Sequence, residues 1–549
     1  MLRSIESFAL VRLLRRGSSR FNLEMAALVV FAGLANAGVL AIINAAAENA
    51  SNDVENGRML GLFLVTIALY VYAQRFILFM SVTEVEAILN GIRVEIAERL
   101  RRTDLEALEH MGRAEIFGVV ARETQNISQA ASAIAMALQM TMMVAFSMAY
   151  LAILSKTAFV ITVAMSAVGI MLHLRRLKGL LAMLGEAQQK ENEFLGLLTH
   201  LIDGFKEVRL RKARSDDLFR DLANVSYTVQ DVKTRTGREF SAVYIFAQVM
   251  FYALLAAIVF LLPRISAEYT TVVLKLTAAI LFIIGPLGSI VGSIPVWSAA
   301  NVAANNIFDL EARLAAASAS DRSGRPEAVP PARFSRLELK RVVFEYPDRG
   351  KGSVFRLGPV DLEARAGEIL FIVGGNGSGK STLLKALTGL YHPQSGSITL
   401  DGTQLNQDNS AWYRSHFAAV FSEYHLFDRL YGLADVPAER VKELLAIMQI
   451  SDKTAFENGR FTTLDLSHGQ RKRLALLVAL LEDRPILVLD EWAADQDPPF
   501  RRYFYEELLP SLKREGKTII AVTHDDKYFA IADRVVKMEY GGFVPAASS

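Results

Sequence analysis

Apolar residues crowd the chain up to about position 300 and then thin out abruptly. At about 1.5 Å of rise per helical residue, a hydrocarbon core about 30 Å thick needs about 20 apolar residues. Stretches near that length run over approximately Leu23–Ala46, Met59–Val82, Ala130–Leu154, Ala158–Leu174, Ala242–Leu262 and Val272–Ile294, which predicts six membrane-spanning helices. Between the second and third, and again between the fourth and fifth, lie long charged stretches with helical spacing, roughly Glu84–Ser128 and Arg175–Phe240, which predict helices continuing out of the membrane. Residues 311–335 are rich in Ala, Ser, Arg and Pro, include Pro326, Pro330 and Pro331, and keep no sustained period, as a linker would. Beyond them short apolar runs alternate with helical patterns, the mark of an α/β domain. The expected division is therefore an all-α six-helix transmembrane domain over 1–310, a linker over 311–335 and an α/β domain over 336–549.

Charge adds an orientation. The N-terminal tail carries Arg3, Arg12, Arg15, Arg16 and Arg20, whereas residues 47–57 carry Glu48, Asp53 and Glu55 and no base. Basic flanks stay on the cytoplasmic side, so the N-terminus is expected there, and an even number of spans returns the C-terminal domain to the same side. The first span exceeds the roughly 7–15 residues of a signal-peptide core, and no small-residue cleavage site ends it cleanly, so it is read as retained. With 52% hydrophobic and 21% charged residues and a mean hydropathy of +0.26, the chain is too apolar for an ordinary soluble protein. A net charge of +2 argues against a nucleic-acid partner, and the lack of cysteine excludes disulfide and thiol chemistry.

The sharpest chemical signal is Gly374-Gly375-Asn376-Gly377-Ser378-Gly379-Lys380-Ser381, with Thr382 next, set between a short apolar run and a helical pattern. Glycines at this spacing let backbone N–H groups wrap a polyphosphate, and the following helix N-terminus adds positive potential. Lys380 would reach the β- and γ-phosphates and Ser381 would ligate Mg²⁺. Two further segments stand downstream, Leu466-Ser467-His468-Gly469-Gln470 opening a helix, and Ile486-Leu487-Val488-Leu489-Asp490-Glu491 closing an apolar strand.

In this combination residues from about Phe334 to Val544 resemble the ATP-binding-cassette family, whose signature LSGGQ reads LSHGQ here. The resemblance implies that Ser467, His468, Gly469 and Gln470 bind ATP held by the phosphate loop of another subunit. Having one loop and one signature, the chain is then expected to pair with a second copy of itself in a twofold dimer. It further implies that Asp490 holds Mg²⁺, that Glu491 is the general base polarising the attacking water, and that His524 contacts the γ-phosphate and positions both. Tyr346 is placed like the aromatic that stacks on adenine, and Asp497 like the last aspartate of the loop after the Asp-Glu pair. The charged stretches resemble the intracellular extensions of ABC exporters, with coupling segments expected at Gly112–Asn126 and Leu201–Leu210.

Departures from the family pattern are specific. Ser422 stands where the family has a glutamine that touches Mg²⁺, with Glu423 as a candidate substitute. The usual Ser-Ala-Leu-Asp becomes Ala494-Asp495-Gln496-Asp497, and only about 45 residues separate Ser422 from Ser467, so the helical subdomain there is expected to be trimmed. Together with Phe421–Leu430 and Thr523–Phe529, the run Asp490–Pro498 resembles a bacterial cyclic-peptide exporter branch that handles pyoverdine precursors, syringomycin-type lipopeptides and the lasso peptide microcin J25. That branch implies a modified-peptide or siderophore-like cargo and a location in the bacterial inner membrane among its lipids. A lipid flippase, a multidrug exporter, a siderophore importer and a non-transporting ATPase share the architecture and stay open. Inside the spans, Glu24, Gln74, Arg75 and the methionines Met136, Met140, Met142, Met143 and Met148 are candidates for cargo contact, with interfacial snorkelling and helix packing as the plainer readings.

Overall fold

A computed structural model of the chain describes residues 9–16, 19–51, 57–264, 273–318, 334–345 and 355–544. It divides into two compact units, one made of Met1–Glu98 with Ala114–Arg313 and the other of Arg99–Arg113 with Leu314–Ser549.

The first unit is helical among its described residues. A short helix α1 (Ala9–Leu14) is followed by α2 (Ser19–Ser51) and by α3 (Gly57–Arg101), whose last residues pass into the second unit. After α4 (Leu105–Met111) the chain returns through α5 (Arg113–Gly118), a π turn at Val119–Glu123 and α6 (Thr124–Leu154). Then come α7 (Lys156–Asp203), the short α8 (Phe205–Leu210), α9 (Lys212–Ala256) and α10 (Val273–Ser318). Among the described residues five stretches are long and apolar enough to cross a membrane, Glu24–Glu48, Gly57–Arg101, Ile116–Leu154, Lys212–Leu261 and Lys275–Ala317. Among the described residues, the predicted fourth span falls on the apolar stretch Lys156–Leu172 of α7.

Packing in this unit is apolar on both sides. Leu40, Leu151, Leu254, Ile258, Leu276 and Ile280 form a buried cluster, while α3 leaves Leu60, Leu64, Val65 and Phe79 largely exposed. An outward apolar face of that size suits a lipid solvent. At the N-terminal end, Arg16 donates two hydrogen bonds to the Glu311 carboxylate, 2.8 and 2.7 Å long.

The predicted turns differ in place. Gly204 breaks the second charged stretch, and α8 occupies most of Leu201–Leu210. In the first stretch the short helix is α4, not Gly112–Asn126. Gly112 ends α4 with φ of 80°, and the chain beyond it rejoins a long helix through Leu154. The last helix runs to Ser318, past the predicted start of the linker, because Glu311-Ala312-Arg313-Leu314-Ala315-Ala316-Ala317 are strong helix formers. Residues 319–333 lie outside the described ones.

In the second unit β1 (Arg336–Glu345) and β2 (Arg356–Arg365) precede β3 (Ile369–Val373), α11 (Lys380–Leu387), β4 (Ser395–Leu400), β5 (Thr403–Gln404) and α12 (Ser410–Arg414). The chain continues through β6 (Phe417–Val420), α13 (Ala438–Ile447), a hairpin of β7 (Phe456–Glu457) and β8 (Arg460–Phe461), and α14 (His468–Leu481). It closes with β9 (Ile486–Asp490), α15 (Pro498–Tyr503), a π turn at Phe504–Leu508, α16 (Leu509–Arg514), β10 (Thr518–Val522), β11 (Arg534–Glu539) and β12 (Gly542–Val544).

A six-stranded sheet has the order β12-β11-β3-β10-β9-β6, parallel except for β12, beside a four-stranded antiparallel sheet β2-β1-β4-β5. β9 and β10 are buried at every residue, which is why they read as unbroken apolar runs and not as alternating patterns. The carboxyl ends of β3, β9 and β10 open onto Gly374, Glu491 and Thr523-His524, and ligands of parallel α/β sheets bind outside such ends.

Helix α4 belongs to this unit. Leu105 packs against the buried cluster that contains Leu337, Phe344, Leu384 and Tyr391. Glu109 accepts from Lys385 Nζ at 3.0 Å and from the Tyr391 hydroxyl at 2.6 Å. His392 Nε2 lies 3.7 Å from Asp104. Burial works to raise the Glu109 carboxyl, but the bonds from Tyr391 and Lys385 outweigh it and hold the carboxyl below its ordinary range.

Candidate nucleotide site

The phosphate loop is built by backbone conformations that side chains resist. Gly374 sits at φ of 155°, and a Cβ there would come within 2.2 Å of the Met538 carbonyl oxygen. The residue is therefore fixed as glycine by both torsion and space. Lys380, almost wholly buried, folds back so that its ammonium donates to the carbonyls of Gly374 and Gly375, both at 3.0 Å. Its Nζ is 3.7 Å from Glu491 Oε1. Phe355, Asn376, Gly377, Gly379, Lys380, Ser381, Thr382 and Glu491 line a cavity of about 320 Å³. The hydroxyl of Ser378 is buried without a partner in the loop wall.

Asp490 ends β9 with its carboxylate buried. One oxygen accepts from the Ser422 hydroxyl at 3.0 Å and from its backbone N–H at 3.4 Å, while Oδ1 is buried without a partner. An orphaned carboxylate oxygen costs free energy unless a donor or cation meets it. Among the described residues no group of three or more His, Asp or Glu is arranged to hold a metal by itself. Mg²⁺ needs no such cage, since it is commonly held by one or two carboxylates with waters and substrate phosphates. The residues present, Asp490, Ser422 and Ser381, supply oxygen donors of that kind. Glu423, the candidate substitute, is exposed.

Glu491 adopts φ of 49° and ψ of 37°, a left-handed conformation unusual for a side chain of this size. Its Oε1 lies 3.1 Å from His524 Nε2, just past β10. Thus the phosphate loop, Asp490 and the Glu491–His524 pair all stand at the carboxyl ends of neighbouring strands.

The signature does not line this cavity. Ser467 caps α14 in a reciprocal box, its Oγ accepting from the Gln470 N–H at 3.4 Å and Gln470 Oε1 accepting from the Ser467 N–H at 3.0 Å. The side chain of Gln470 is thereby committed to the helix start, and Ser467 and His468 are left exposed at a helix N-terminus suited to an anion. Asp497 is the N-cap of α15, accepting from the Phe500 N–H at 3.0 Å and pairing with Arg473. That N–H bond, opposed by desolvation and helped by Arg473, holds its carboxyl below the ordinary range. Tyr346 lies outside the described residues. Phe355, at the cavity wall, was not legible in the sequence because no motif spacing marks it.

Within the helical unit an apolar cavity of about 220 Å³ is lined by residues that include Met165, Gly169, Phe246, Met250, Phe251 and Ile290. None of the methionines of α6 is in that lining. Met142 and Met148 pack instead beside buried clusters, and Glu24 and Arg75 are exposed in the single chain.

Comparison with known proteins agrees with this geometry. A profile of the ABC transporter family matches residues 357–494. The chain is 34% identical over 472 residues to the ATP-binding protein SyrD of Pseudomonas syringae pv. syringae, covering 83% of this chain and 82% of that protein. It is 31% identical over 252 residues to the ABC-type transporter atr1 of Mycosarcoma maydis, covering 43% of this chain and 18% of the other. A macrolide export ATP-binding/permease protein MacB of Rhodopseudomonas palustris (strain HaA2) is 34% identical over 226 residues, covering 38% of this chain and 33% of its own length.

Proposed function

We propose, from the premise that this chain belongs to the ABC transporter family, that it is a half-exporter moving a modified or cyclic peptide out across the bacterial inner membrane. ATP binding and ATPase-coupled transport come with that membership. The peptide cargo rests on the resemblance of Asp490–Pro498, Phe421–Leu430 and Thr523–Phe529 to the cyclic-peptide exporter branch, and the observation that carries the exporter reading to the whole chain is the reach of the SyrD match. It covers 83% of the chain, membrane helices included, whereas the macrolide exporter matches only 38%.

In this reading residues 1–310 form the transmembrane domain and 336–549 the nucleotide-binding domain, with both termini cytoplasmic as the basic N-terminal tail supports. Two copies pair because the exposed Ser467 and His468 are not part of their own chain's cavity lining and need the cavity of another. The residues Gly374–Thr382 wrap the triphosphate, with Lys380 transferring its ammonium from the loop carbonyls to phosphate oxygens. Asp490, Ser422 and Ser381 would hold Mg²⁺, which supplies charge neutralisation at the transferred phosphoryl group. Glu491 accepts a proton from water as the water oxygen attacks the γ-phosphorus, the bond to the bridging oxygen breaks, and ADP and phosphate leave. His524 keeps the Glu491 carboxylate in place. Helix α4, through Glu109, Lys385 and Tyr391, carries the change to α3 and α5. The exposed Ile202, Phe205 and Leu210 around α8 offer an apolar surface to the second copy.

The test is transport by the purified protein in proteoliposomes. ATP-dependent accumulation of a cyclic or lasso peptide in inside-out vesicles supports the reading. Accumulation only in right-side-out vesicles indicates an importer, and lipid movement without peptide movement indicates a flippase.

A further inference from the structure

The first turn of α14 is cross-braced to the Glu491–Asp497 loop of its own chain by contacts the hydrolysis chemistry does not require. Gly469 comes so close to that loop that a Cβ on it would lie 2.7 Å from the Asp495 carbonyl oxygen. Gln496 Nε2 donates to the Gly469 carbonyl at 3.2 Å. The central member of the brace is Lys472. Its ammonium is almost wholly buried, donates to the Glu491 carbonyl oxygen at 2.9 Å and pairs with Asp495 Oδ2 at 2.6 Å. In the opposite direction the buried Trp492 indole donates to the Lys472 carbonyl at 2.8 Å.

A buried ammonium is costly unless paired and hydrogen-bonded, so a lysine in this place implies that its partners need it. One partner is a backbone oxygen of the residue with the left-handed torsions. Left-handed backbone at a glutamate persists only where its surroundings enforce it. The amide side is held by the Glu491 N–H bond to the Val522 carbonyl at 3.1 Å, and the carbonyl side is held by Lys472. The same torsions decide where the Glu491 Cβ points, and so whether its carboxylate meets His524 and faces Lys380. Asp495 completes the clamp, with Lys472 holding its carboxyl below the ordinary range and His468 Nε2 3.3 Å from the same oxygen.

We propose that Lys472 is a positioning residue for Glu491: clamped by Asp495, its ammonium fixes the Glu491 carbonyl and thereby aims the carboxylate at the attacking water. This rests on the reading of Glu491 as general base. The lysine is outside the lining of the nucleotide cavity and stands on the signature helix.

The test uses the full-length protein, comparing Lys472→Met, which keeps length and loses the donor, with Lys472→Arg, which keeps donors and charge. Because misplacing a reacting group by about 1 Å can cost on the order of a hundredfold, Lys472→Met should lower kcat by roughly ten- to a hundredfold. KM for ATP and binding of a fluorescent ATP analogue should stay within about twofold, and Lys472→Arg should recover much of kcat. Full kcat in Lys472→Met, or equal losses of kcat and nucleotide affinity, overturns the proposal. Should Lys472→Met fail to fold, Asp495→Asn leaves the lysine in place and loosens the clamp; lowered kcat with unchanged affinity supports the proposal, and unchanged kcat overturns it. Glu491→Gln is measured alongside. If it turns over at the wild-type rate the base reading itself falls, and if it is inactive while Lys472→Met is fully active only the positioning role falls.

Discussion

Replacing Glu109 by Gln keeps the size of the side chain and removes the charge that fastens α4. The ion pair with Lys385 is partly exposed, with 23% of the lysine and 37% of the glutamate side chain accessible, so its loss is discounted to at most about 1 kcal/mol. The Tyr391 hydroxyl loses a charged acceptor at 2.6 Å and keeps a neutral one, a difference of roughly 1 kcal/mol. Tyr391 itself is buried and stacked on Phe344 with centroids 4.7 Å apart, so it does not follow the helix. A total of about 1–2 kcal/mol shifts the seated-to-released ratio of α4 by roughly 5- to 30-fold. Hydrogen exchange of the 105–111 amides reads this directly, and protection should fall by that factor while amides of β9 and β10 stay unchanged. Acid should act in the same way. Because the folded Glu109 carboxyl lies below its ordinary value of 4.5, protection is constant above that value and is lost as pH falls through the lowered one. Unchanged exchange in both Glu109→Gln and Lys385→Met would refute the reasoning.

Other outcomes follow from the site. Gly374→Ala places a methyl group against the Met538 carbonyl in a forbidden torsion, so nucleotide binding by fluorescence titration should be lost; binding within about twofold of wild type would contradict the loop geometry. Glu491→Gln should bind ATP, stay associated as a dimer and lose at least about a hundredfold in phosphate release. Asp497→Ala removes a helix cap and the partner of Arg473, and its unfolding midpoint should fall by an amount worth about 1–2 kcal/mol.

How much of this was legible in the sequence depended on the range of the interactions. Gly374–Ser381, Asp490-Glu491 and Ser467–Gln470 are local motifs, and the structure places the first two at the ends of β3 and β9, on either side of β10, and the third at a helix start. The apolar runs predicted the long helices of the first unit. The position of α4 was not legible. Gly112 looks like a segment start, and only the distant partners Lys385 and Tyr391 show that the seated helix precedes it. The same holds for Phe355, for the Met165–Met250 cavity and for the Lys472–Asp495 pair, which join residues far apart in the chain. Gln470 shows the converse, since its motif position suggested a nucleotide contact while its side chain caps its own helix.

The shared site is tested most directly by mixing inactive chains. Differently tagged copies carrying Lys380→Ala or Ser467→Arg are co-expressed, and the mixed dimer is isolated through both tags and assayed for phosphate release. If each cavity is completed by the other chain's signature, the mixed dimer holds one doubly damaged site and one intact site, and it regains up to about half of wild-type turnover although both homodimers are inactive. A mixed dimer as inactive as its parents, or a Ser467→Arg homodimer with full activity, would contradict the account.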